Sequence, residues 1–322
     1  MAVLAAIALA VDLGALPRIL ALLPVGAFAL AFVLNLVGSI VVPAIQTRVA
    51  LRATRLELGT LELVAINLMV RFYILVLPRP AAVGIRWWAY RGGGGGGGGN
   101  DAAALMVFER MTQGVVMTGA LVVLLGVERG GLPVTSDALW VAALGLFGVA
   151  LAGFVSFLWT PAATLPRWIL ERPRLPSGIR DRAARFLEAV EAYPRLPTWR
   201  VLVILGLSVV YFVLFVASFW VLVRAIGVEL SFVAVAWIRA LVFFLTLVPV
   251  TIAGLGVREA GLVALLRLYK VPEEEALAAA LAALGVQLVI GLLGAGVAIW
   301  RQWRGRDPDM DVRVSPSRPA PE

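Results

Sequence analysis

No cysteine and no histidine occur in the 322 residues. Their absence excludes disulfides, thiol nucleophiles, imidazole bases and the usual zinc sites. No catalytic residue, metal site or cofactor is therefore expected. Function must run on arginine, carboxylates, amides, hydroxyls and backbone. Lysine is almost missing as well: Lys270 is the only one, and arginine carries the positive charge, which we read as compositional bias. Nucleotide-binding motifs are also lacking. The eight glycines of Gly92–Gly99 are followed by Asn100 and Asp101 instead of a Lys-Ser/Thr pair, so the run has no phosphate-loop character. It reads as a flexible linker. At the N-terminus neither the charged start nor the small-residue cleavage site of a signal peptide is clear, and the segment reads as a short first span.

What is abundant is apolar surface. Hydrophobic residues make up 61% of the chain, against about 45–50% in soluble domains. They come in blocks: 201–223 and 276–300 carry no charge, and 19–45 is interrupted only by Pro24, Asn35, Ser39 and Pro43. A hydrocarbon core of about 30 Å needs roughly 20 apolar residues in a helix. This predicts an all-α polytopic membrane protein with about six full spans, near 1–16, 19–45, 103–127, 138–159, 200–223 and 276–300. Residues 1–306 form a single transmembrane domain, and 307–322 form a disordered, proline-containing tail.

The net charge is +8. In a chain this apolar, that charge sets orientation and meets anionic lipid; no nucleic acid is expected. Arginines concentrate in 46–58, in 160–199 and after 300, which places those segments and both termini in the cytoplasm at the cell (plasma) membrane. Within 160–199, Ile179, Ala183, Phe186, Leu187 and Val190 recur at helical spacing. The segment reads equally well as a helix on the membrane surface or as a plain connector.

Two apolar segments, 61–90 and 232–268, are broken by Pro and Gly. Arg71 precedes Leu77-Pro78, and Gly84, Ile85 and Arg86 follow. Arg239 precedes Val248-Pro249, and Gly254, Gly256, Val257 and Arg258 follow. Each segment must return to the side it left, so both read as re-entrant helical hairpins entered from opposite faces. The halves 19–127 and 200–300, linked by span 138–159 and cytoplasmic loop 160–199, then form an inverted repeat. The alternative, a full span at 232–250, would put the basic tail outside.

Ionisable residues in apolar surroundings are functional pointers, because each costs about 2.5–3.5 kcal/mol at the bilayer centre. Here they are Arg71, Glu109, Arg110, Arg239, Arg258 and Glu259. Paired, they lock helices together. Gathered around a polar cavity, they bind an anionic head group, with arginine as the phosphate donor and Glu109 and Glu259 as counter-charges. Asn67 and Gln287 read as bridges between helices. Arg86, Gly254 and Gly256 join the candidate binding set by their place at the two breaks.

GLGVREAG (254–261), followed by VPEEEALAAAL (271–281), closely resembles the C-terminal signature of the lysylphosphatidylglycerol synthase transmembrane-region family, which is also described as flippase-like. The first half agrees: a broken segment, Tyr90-Arg91, a short loop, and a helix carrying Glu109-Arg110. The resemblance covers about residues 10–300. It implies a polytopic fold with re-entrant elements. From its branch of multiple peptide resistance factors it implies movement of aminoacylated phospholipid between leaflets. By motif, Arg258-Glu259 and Glu109-Arg110 carry over as the two charged pairs. The expectation is a stand-alone member without the soluble synthase domain, so lysyl-lipid synthesis does not transfer. Leu77-Pro78-Arg79-Pro80 also departs from the glycine-rich turn of many relatives.

The leading expectation is a passive or ion-coupled flippase-like transporter, not an enzyme, for an anionic phospholipid or polyprenyl-phosphate lipid. Arg258 and Arg71 would bind phosphate, and Glu259 and Glu109 would release them. The alternative is a non-catalytic membrane subunit that anchors or presents lipid to a lipid- or glycan-synthesis enzyme, docking it on 160–199. A third reading, a membrane-embedded enzyme, would depend on Glu109, Glu259 or an aspartate.

Overall fold

The computed structural model describes residues 23–92, 98–128, 137–159, 189–190, 193, 196–245 and 257–304. Among these residues all regular structure is helical. Five helices are long and apolar enough to cross a membrane: Val25–Ala53, Gly98–Val127, Asp137–Leu158, Thr198–Ala225 and Glu273–Trp303. The shortest has 22 residues, or about 33 Å at 1.5 Å per residue. They coincide with five of the six expected spans. The sixth, 1–16, lies outside the described residues, as do the tail and nearly all of the expected 179–190 helix.

The first span is three pieces of one rod: α1 (Val25–Leu36), a π-turn (Val37–Val41) and α2 (Val42–Ala50). Pro43 sits at the start of α2 and has no N–H, so the carbonyl four residues back, on Ser39, loses its helical partner. The π-turn falls at that point. Arg71 and Asn67 of the next helix use the carbonyls there, donating to Ser39 O (3.5 Å) and Ile40 O (3.2 Å). The span also runs past residue 45, where sequence reading ends it. Arg48 belongs to α2 rather than to a loop and donates to Leu58 O at 2.9 Å.

The segment 61–90 divides into α3 (Thr60–Val76) and α4 (Arg79–Arg91). Leu77 is extended (φ −115, ψ 155) because a residue before proline is pushed out of the helical region. Pro78 and Pro80 then open α4, where missing N–H groups cost nothing. α5 (Gly98–Val127) and α6 (Asp137–Trp159) follow. Gly98 and Gly99 are not linker: they form the first turn of α5. Gly98 is packed so closely that a Cβ would sit 3.0 Å from Leu56 and 3.1 Å from the Arg91 carbonyl. Gly99 O accepts from Trp87 Nε1 at 2.7 Å.

α7 (Thr198–Ala225) ends in a Schellman motif. Gly227 is left-handed at φ +97, with Val228 N donating to Val223 O (3.2 Å) and Gly227 N to Arg224 O (3.1 Å). Then come α8 (Phe232–Leu245), α9 (Val257–Leu268) and α10 (Glu273–Arg304). Three glutamates in the first turn of α10 complement its dipole.

Packing follows the element order twice. α1 and α2 lie on α7. α3 packs against α4 and α8 against α9. α4 packs on α5, and α9 on α10. The first helix of each pair crosses to the long helix of the other half, α3 to α10 and α8 to α5. Close approach in the α3–α10 contact depends on Gly291 and Gly294, where a Cβ would run into Leu75 and into the Leu68 backbone.

Candidate functional site

Where the two halves meet, a cavity of about 410 Å³ opens, within the range usual for small-molecule sites. It contains Arg71, Arg86, Glu109, Arg110, Arg239 and Arg258, drawn from α3, α4, α5, α8 and α9. Glu259 stands beside it, hydrogen-bonded to Arg258. Seven of the nine candidate residues are therefore gathered at one place. Gly254 and Gly256 lie outside the described residues.

Their pairing differs from expectation. Glu109 is the partner of Arg86 (2.9 Å), not of Arg71. Its other oxygen accepts from the Thr47 hydroxyl. Arg86 also donates to Tyr90 Oη, one helical turn on, through Nε (3.0 Å) and Nη2 (2.8 Å). Because α5 begins at Gly98, Glu109 lies about 16 Å along that helix instead of near its end. Arg110, the neighbour of Glu109 in sequence, points to Gln113 (3.2 Å).

The second cluster is Arg258 with Glu259 and Gln287. Arg258 Nε donates to Glu259 Oε1 at 2.9 Å, and Nη1 to Gln287 Oε1. Both amides line the cavity and both bridge helices as expected, Gln287 joining α10 to α9 and Asn67 joining α3 to the π-turn.

Arg239 is held in another way. It is 3% exposed, and its guanidinium lies over Phe215 at 3.9 Å and Phe219 at 4.9 Å. Cation–π contact offsets part of the burial of the charge, and stacking leaves the in-plane N–H donors unused by the rings. Nε has no hydrogen-bond partner. Among the described residues no carboxylate pairs with Arg239 or with Arg71, whose one contact is the Ser39 carbonyl. A buried donor without a partner costs about 1–3 kcal/mol.

Sequence reading misses Thr47, Tyr90 and the phenylalanine clamp. Tyr90, four residues after Arg86, carries a legible signal. The clamp carries none, since Phe215 and Phe219 look like any apolar residues of a span. Gln46 bridges to Ser208 at 2.9 Å in the cavity wall.

Long apolar helices around a charged interior cavity define a multi-pass membrane protein. The chain belongs to the family described as lysylphosphatidylglycerol synthase TM region, which it matches over residues 1–294. No curated protein and no solved structure matches it. The family points to a membrane lipid-related role.

Proposed function

We propose that this protein is a flippase-like transporter that moves an anionic lipid between leaflets. The observation that carries this reading is Arg239: a cation buried at the wall of a cavity rich in arginine, with Nε unpartnered. Such a group is costly in an apolar setting unless an anion completes it. A lipid phosphate can do so while the acyl chains stay in the bilayer. The short helices support the rest. α3 and α4 have 17 and 13 residues. At 1.5 Å per residue they reach about 20–26 Å, less than the roughly 30 Å hydrocarbon core. We read α3–α4 and α8–α9 as re-entrant hairpins related by an inverted repeat, with the site at their junction and both termini cytoplasmic at the plasma membrane. Arg71 and Arg239 are the phosphate ligands. Arg86 and Arg258 are already held by Glu109 and Glu259 and shape the site around them.

The test is leaflet exchange of fluorescent lipids in proteoliposomes, with headgroup charge as the variable. Anionic lipids should cross at least about tenfold faster than zwitterionic ones, about 1.4 kcal/mol: both carry the phosphate, but the ammonium of a zwitterionic headgroup is repelled by the arginine-rich cavity. Equal rates for both classes would contradict the proposal.

A further inference from the structure

Charge counting narrows the headgroup, on the assumption that the anionic-lipid reading above holds. Setting aside the exposed Arg110, four arginines at the cavity (Arg71, Arg86, Arg239 and Arg258) face two carboxylates, Glu109 and Glu259, leaving two positive charges in excess among the described residues. A phosphodiester brings a single negative charge and would leave one of the two uncompensated, at a site where Arg239 is buried. The arginines without a carboxylate partner also belong to different halves: Arg71 on α3 and Arg239 on α8. Each guanidinium is a planar fork suited to one phosphoryl group. Arg239 is fixed in plane by Phe215 and Phe219. Arg258 has committed Nε and Nη1 to Glu259 and Gln287. The cavity therefore presents two phosphate-binding forks, one from each half, rather than one.

We infer that the site takes a headgroup of two linked phosphoryl groups, a diphosphate, with one phosphoryl group on Arg71 and the other on Arg239. This chemistry occurs both in lipid diphosphates and in free pyrophosphate, and the test separates the two sources.

Binding is measured by calorimetry on the full chain in detergent at fixed ionic strength. The probes are inorganic phosphate, inorganic pyrophosphate, a polyprenyl monophosphate, a polyprenyl diphosphate and phosphatidylglycerol. The diphosphate form of each pair should bind about ten- to a hundredfold more tightly than the monophosphate, one added charge-assisted contact. Arg239→Gln should remove that ratio by weakening diphosphate binding more than monophosphate binding. Arg71→Gln, which gives up only a backbone carbonyl contact within the protein and so should fold, must do the same if Arg239→Gln does not fold. Equal binding of mono- and diphosphate, or an unchanged ratio in Arg71→Gln, would overturn the inference. Phosphatidylglycerol binding as tightly as the lipid diphosphate would overturn it and leave the anionic-lipid reading standing. Pyrophosphate binding without lipid diphosphate binding, or no binding by any probe, would overturn both.

Discussion

Glu109→Ala should destabilise the helical domain by about 3 kcal/mol, the low end for breaking a buried ion pair. Glu109 and Arg86 side chains are 12% and 18% exposed, so neither charge is well screened by water. Removing the carboxylate leaves the Arg86 cation with the Tyr90 hydroxyl alone and takes away the acceptor of Thr47. Three helices lose a shared anchor at once: α2 through Thr47, α4 through Arg86 and α5 through Glu109 itself. Glu109→Gln should cost somewhat less, because the amide oxygen can still accept from Thr47 although Arg86 loses its counter-charge. Arg86→Ala should cost less in the Glu109→Ala background than in the wild type, with a coupling of about 1–3 kcal/mol. Denaturant unfolding of the four proteins in micelles measures this. Additive losses would show that the pair does not act as a unit.

Gly294→Ala should be nearly as damaging, at about 3 kcal/mol, the upper end for overpacking. A Cβ there would overlap the Leu68 carbonyl oxygen and lie 2.8 Å from its carbon. Both atoms are backbone of α3, so the helices must separate. Gly291→Ala also creates an overlap, but with the Leu75 Cδ1 methyl, which can rotate away, and should cost far less. Gly296→Ala meets nothing within 4 Å and should stabilise α10 by up to about 1 kcal/mol, the helix-propensity difference. Melting temperatures of the three variants check this order. Equal behaviour at 291, 294 and 296 would refute the α3–α10 contact.

These expectations show where sequence reading reaches and where it stops. Apolar blocks place the spans because the bilayer demands length and apolarity along one continuous segment. Leu77-Pro78 marks the α3–α4 break because proline acts on the residue before it. Charges in apolar surroundings point to the cavity because each must be paired or hydrated. What sequence does not carry is register between helices. Glu109 lies beside Arg110 in the chain and across from Arg86 in space, so its pairing with Arg71 could not be tested until α4 and α5 were docked. The role of Pro43 in opening the π-turn beneath Arg71 is hidden for the same reason. Gly98 and Gly99 look like linker because composition does not reveal that Leu56, Arg91 and Trp87 pack against them.

The measurement that bears most directly on the central claim is the rate of leaflet exchange of an anionic lipid for the Arg71→Gln/Arg239→Gln double variant, reconstituted at equal density with the wild type and shown to be folded. If the two arginines hold the headgroup during transit, exchange should fall by at least about a hundredfold, as two charge-assisted contacts of 1.5–3 kcal/mol each are lost. Exchange at the wild-type rate would show that lipid crosses without entering the arginine cavity and would contradict the account.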